Sequence, residues 1–79
     1  MQEVHLICPV ETVTRWVNYL QKLVDQQEEA VLVDFGCSQK RQMGYIVLCW
    51  ANKVDSSVMA QLQNDPTIED FCTYTIPGS

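Results

Sequence analysis

The run Tyr45-Ile46-Val47-Leu48-Cys49-Trp50, inside the longer stretch QMGYIVLCWANK, is apolar on both alternations of an extended chain. As a β-strand it points Tyr45, Val47, Cys49 and Ala51 one way and Ile46, Leu48 and Trp50 the other. Such a strand either lies between two covering layers or leaves one apolar side of its sheet open. The remaining sequence decides what is available to cover it.

Residues 3 to 8, EVHLIC, alternate as a first strand. Val4, Leu6 and Cys8 fall on one side and Glu3, His5 and Ile7 on the other. Pro9 ends it, because proline has no N–H to donate to a sheet ladder. In ETVTRWVNYLQKLVDQQ, residues 11 to 27, Val13, Trp16, Val17, Leu20, Leu23 and Val24 recur at spacings of three and four. This is one apolar stripe of a helix about four turns long. Arg15, Asn18, Gln21, Lys22 and Asp25 form its solvated side.

EEAVLVDF, residues 28 to 35, reads as a second strand with Val31, Val33 and Phe35 toward the core and Asp34 outward. An outward charge suits an edge strand, where it discourages edge-to-edge pairing. Gly36 to Met43 is a polar connection, and Gly44 opens the third strand. VDSSVMAQLQNDP then reads as a short second helix. Asp55 is its N-cap, and Val54 and Met59 occupy the two positions of a hydrophobic staple. Asn64-Asp65-Pro66 stops it, since the residue before proline avoids helical geometry. EDFCTYTI, residues 69 to 76, is a last strand closed by Pro77-Gly78.

The order strand, helix, strand, strand, helix, strand predicts an α+β fold of the ferredoxin-like βαββαβ type. Its four antiparallel strands are ordered 4-1-3-2, with both helices on one face. The 79 residues make a single domain, 1–79, because no length remains for a linker and a second core. A chain this short buries only about 60–65% of its unfolded surface. Nothing is left in it to cover the far side of the third strand.

Two parities are open for that strand. If Ile46, Leu48 and Trp50 meet the helices, Tyr45, Val47 and Cys49 lie on the open face with Ile7 and His5. Thr73 and Thr75 are expected at one edge of this face and Leu32 at the other. The opposite parity exposes Trp50. The face measures roughly 350 Å² in projection. The largest apolar patch of an ordinary monomer is already about 300–600 Å², so the patch invites association without forcing it. Ile7, Tyr45, Val47, Cys49, Thr73 and Thr75 are the candidate interface. A homodimer or a complex with another protein is the expected partnership.

Ten acidic and five basic residues give a net charge of −5. This argues against nucleic acid, where Lys and Arg supply most of the affinity. The only basic cluster is Lys40-Arg41. No apolar run approaches the roughly 20 residues needed to span a membrane. Hydrophobic residues make 47% of the chain and charged ones 19%, which excludes wholesale disorder.

Cys8, Cys37, Cys49 and Cys72 show no C-x-x-C and no zinc-finger spacing. With no export signal visible, they read as reduced core thiols of a cytoplasmic protein. Cys8 and Cys72 are a candidate redox pair, since the end of the first strand and the start of the fourth lie at one end of adjacent strands. His5, the single histidine, reads as structural or partly exposed. Glu11, Glu28, Glu29, Glu69 and Asp70 offer carboxylates for acid–base work, but with no nucleophile or metal ligand at a telling distance. Glu11 suits the positive end of the first helix. The loop GCSQKRQMG carries two glycines and two bases but no phosphate-binding motif, and reads as a polar hairpin loop. Trp16 and Trp50 are large core anchors that could also floor a pocket. No cofactor and no metal site is indicated; a small ligand stays among the candidate partners.

The element order, together with the helix end and last strand in NDPTIEDFCTYTIP, resembles ACT-type regulatory modules and the dimeric α+β-barrel group. The resemblance spans nearly the whole chain as a pattern of elements. ACT modules usually carry an Asp and a Gly at the first strand–helix turn, where this chain has Cys8-Pro9-Val10-Glu11, so no ligand residue carries over. The resemblance implies one of two functions. One is a non-catalytic interaction or regulatory module working through the open face. The other is a small monooxygenase- or isomerase-like enzyme with a pocket between sheet and helices, lined by His5, Trp50 or Tyr74.

Overall fold

The computed structural model describes residues 1–26 and 29–77. The expected end of the first helix at Gln27, the start of the second strand at Glu28, that glutamate as a candidate carboxylate, and Gly78 lie outside the described residues. The elements run β1 (Gln2–Pro9), a 3-10 turn (Val10–Thr12), α1 (Val13–Asp25), β2 (Ala30–Ser38), β3 (Met43–Trp50), α2 (Ser56–Asn64) and β4 (Asp70–Thr75). The four strands form one antiparallel sheet in the order β2-β3-β1-β4, which read from the β4 edge is 4-1-3-2. This is an α+β fold compatible with a ferredoxin-like arrangement.

The register resolves the parity. Val4 pairs with Leu48 and Leu6 with Ile46, and all four are buried against the helices. Trp50, opposite Gln2, is buried on the same side. The core is one cluster in which these strand residues meet Val13, Trp16, Leu20 and Val24 of α1 and Val58 and Leu62 of α2. Both helices therefore pack on one face of the sheet. The predicted stripe of α1 is the buried one, with Val17 and Leu23 half-buried at its margins.

Local chemistry fixes the helix ends. Thr12 donates its hydroxyl to the Pro9 carbonyl at 2.8 Å, bridging the turn between β1 and α1. At α2, Asp55 Oδ1 accepts from the Ser57 N–H at 2.8 Å and from the Ser57 hydroxyl at 2.5 Å, satisfying an N–H that the helix leaves orphaned. Val54 is buried and Met59 packs against the core, as the staple positions require. The connection from β2 to β3 is shorter than the sequence predicts. Strand structure runs through Gly36, Cys37 and Ser38, leaving Gln39–Gln42 as a tight turn, with Gln42 at φ 56°.

The expected inner face of the second strand is overturned. Ala30 and Leu32 pack on the core, and the register breaks between Leu32 and Asp34, which makes Val33 an extra, bulged residue. Val31 and Val33 are 56% and 55% exposed. Phe35 does register with Ile46 on the helix side, yet at this sheet edge it stays half exposed. Asp34 points outward as expected.

Candidate functional site

The side of the sheet away from the helices is a grid set by the strand register. One row across the sheet is Val31, Cys49, Glu3 and Tyr74; the next is Asp34, Val47, His5 and Cys72; the third is Gly36, Tyr45, Ile7 and Asp70. Ile7, Tyr45, Val47 and Cys49 stand here, as one of the two sequence parities expected. Thr73 and Thr75 do not. They register with Val4 and Gln2 on the helix side, and Cys72 and Tyr74 take the open-face places of β4. Leu32 likewise turns inward, opposite Leu48. Phe71 explains the β4 parity. It packs half-buried against the core, so the alternate residues Cys72 and Tyr74 must point away.

Every charged side chain at these strand positions already has a partner within the chain. His5 Nε2 lies 3.0 Å from Glu3 Oε1, and the His5 ring meets Tyr74 edge-on at 4.8 Å between centroids. The Tyr45 hydroxyl donates to Asp34 Oδ2 at 3.4 Å. Asp34 Oδ1 accepts from the Phe35 N–H at 2.8 Å, and Asp70 Oδ1 from the Phe71 N–H at 2.9 Å. Tyr45 reaches Asp34 by lying flat across Gly36, whose missing side chain leaves room for the ring: a Cβ there would meet its Cε1 at 2.9 Å. His5 and the outward Asp34 stand where the sequence placed them; Tyr74, and the bonds that hold Asp34 and Asp70, are what single-residue reading missed. An Asp followed by Phe on each edge strand was the available signal.

The candidate redox pair is not assembled. Cys8 is buried on the helix side opposite Gly44, whereas Cys72 stands opposite His5 on the open face. The two thiols point to opposite sides of the sheet, and all four cysteines are free.

Of the residues expected to line an enzyme's pocket, Trp50 faces the helices while His5 and Tyr74 face away. The clefts lie elsewhere. One of about 180 Å³ is lined by Arg15, Trp16, Tyr19, Gln61 and Asp65 between the helices. Its wall is built by Trp16, whose indole N–H donates to Thr67 Oγ1 at 2.9 Å and whose ring meets Tyr19 edge-on at 5.7 Å. The Asp65 carboxyl is held below its ordinary range by the Thr67 hydroxyl and N–H, with a smaller contribution from the Arg15 charge. Another, of about 380 Å³, lies at the end of the sheet, lined by Met1, Gln2, Ala51, Asn52, Lys53 and Thr75. Among the described residues no group of His, Cys, Asp and Glu is arranged to hold a metal ion, and no helix is long and apolar enough to cross a membrane. No family model, no curated protein and no solved structure matches this chain.

Proposed function

We propose that the chain is a ferredoxin-like, non-catalytic interaction module that docks through the open face of its sheet onto a second copy of itself. The observation that carries this reading is the state of the charges on that face. Burying a charge without a partner is costly, and removing an existing partner leaves an uncompensated group. Glu3, Asp34 and Asp70 each keep a hydrogen-bond donor from their own chain, so they can be covered without stranding them. Between them, Ile7, Val47, Cys49 and Tyr45 supply a central apolar surface.

The edges are less suited to docking than the face. The backbone N–H groups of Phe35 on β2 and Phe71 on β4 are taken by neighbouring carboxylates, and a bulge interrupts β2 at Val33. Both devices discourage strand addition. Area sets the class of interface. The strands are 8, 9, 8 and 6 residues long, longer on average than the sequence suggested. About 4.8 Å apart, they present about 500 Å² in projection rather than roughly 350 Å², so two copies bury about 1,000 Å². That is the lower end for a specific interface, the range of weak, reversible partnerships.

Sedimentation velocity over a concentration series tests the reading. The mass is expected to rise from the chain's 9.1 kDa toward twice that value. Val47→Asp, at the centre of the face, is expected to hold it at the monomer value while leaving the circular dichroism spectrum unchanged. A wild-type chain that stays monomeric at millimolar concentration overturns the reading.

A further inference from the structure

We infer that the two copies stack with their two-fold axis parallel to the strands, running between β1 and β3, an inference that rests on the docking reading above. A two-fold pair of stacked sheets has two simple settings, and the grid of the open face tells them apart. With the axis across the strands through the middle row, each residue of that row meets its own copy. Asp34 then opposes Asp34, His5 opposes His5 and Cys72 opposes Cys72. Like charges directly opposed are unfavourable, and Asp34 on Asp34 puts one such pair in a closing interface.

With the axis along the strands, β2 of one copy lies over β4 of the other and β1 over β3. Ile7 then meets Tyr45, Val47 meets His5, and Val31 meets Tyr74, each contact occurring twice. Every acid meets a small, uncharged residue: Glu3 meets Cys49, Asp34 meets Cys72 and Asp70 meets Gly36. No acid faces an acid. The exposed aromatic Tyr74 finds the exposed Val31 at the rim. Aligned sheets cross at about −30°, which shifts the edge pairs sideways but keeps the central ones, Ile7–Tyr45 and Val47–His5, in contact.

A crosslinking experiment on the full chain separates the two settings. In a Cys37→Ser, Cys49→Ser background, Cys72 is the one open-face thiol, and Cys8 stays buried. Along the strands, two Cys72 residues lie about 14 Å apart laterally on sheets about 10 Å apart, beyond a short bismaleimide. Adding Asp34→Cys places a thiol opposite Cys72 of the other copy. The expected result is a covalent dimer with Asp34→Cys present and its loss with Cys72 alone. Val31→Cys with Tyr74→Cys, each also made singly in a Cys72→Ser background, repeats the comparison with Asp34 intact. Sedimentation of every variant is run alongside. A dimer that crosslinks through Cys72 alone, or through neither pair, overturns this geometry and leaves the docking reading standing. A wild-type chain that never dimerises removes the docking reading, and this inference with it.

Discussion

Gly44 of β3 lies directly beneath Val13, the first residue of α1: a methyl group built on Gly44 would sit 1.8 Å from Val13 Cγ2. The helix enters the core at this point, and only a residue without a side chain lets it come so close to the sheet.

Gly44→Ala is therefore expected to lower stability by about 1–3 kcal/mol, the usual cost of overpacking a core. Urea unfolding at neutral pH measures it. The denaturant slope should be unchanged, since the fold and its buried surface are kept.

Trp16 and Thr67 join α1 to the segment that follows α2. The indole is buried, so Thr67→Val leaves its N–H without an acceptor and is expected to cost about 1–3 kcal/mol. Thr67→Ser retains the hydroxyl and is expected to recover most of the loss. The same urea titration distinguishes them.

Gln42 closes the β2–β3 turn at φ 56°, a conformation that costs a residue with a Cβ roughly 1 kcal/mol. Gln42→Val, β-branched, is expected to destabilise by about 1–2 kcal/mol. Gln42→Gly is expected to gain up to about 0.5 kcal/mol, because it also loses the side-chain bond to the Gln39 carbonyl and loosens the unfolded chain. Thermal melts of the two variants should move in opposite directions.

Acid should loosen α2. The Asp55 carboxyl is held below its ordinary 3.8 by the Ser57 hydroxyl first and the Ser57 N–H next. A carboxyl with a lowered folded pKa contributes its stability above the unfolded value and loses it as pH falls through the folded one. The melting temperature is expected to be flat down to about pH 5 and to fall below about pH 4. Asp55→Asn, which still caps the helix but does not titrate, should show a shallower fall over the same range.

Much of this molecule could be read from its residues, and the failures share a cause. The stripe of α1 and the cap of α2 are local and strongly patterned, so the sequence places both within a residue or two. The doubly apolar third strand gives the open face directly. Its parity required tertiary packing, since Ile46-Leu48-Trp50 and Tyr45-Val47-Cys49 are both greasy sets. At the sheet edges burial is weak on either side, and alternation loses its force. Val33 shows this best: one inserted residue reverses the pattern that had sent Val31 inward. In β4, Phe71 alone sets the parity, against two threonines, a cysteine and a tyrosine that tolerate either side. Cys8 and Cys72 were placed at neighbouring strand ends, but strand adjacency says nothing about which side of the pleat a thiol takes.

The carboxylates seated on the Phe35 and Phe71 N–H groups carry a last consequence. Each border of the sheet gives up an N–H to its own side chain, so the template offered to an incoming chain is interrupted and sideways growth into fibrils is discouraged.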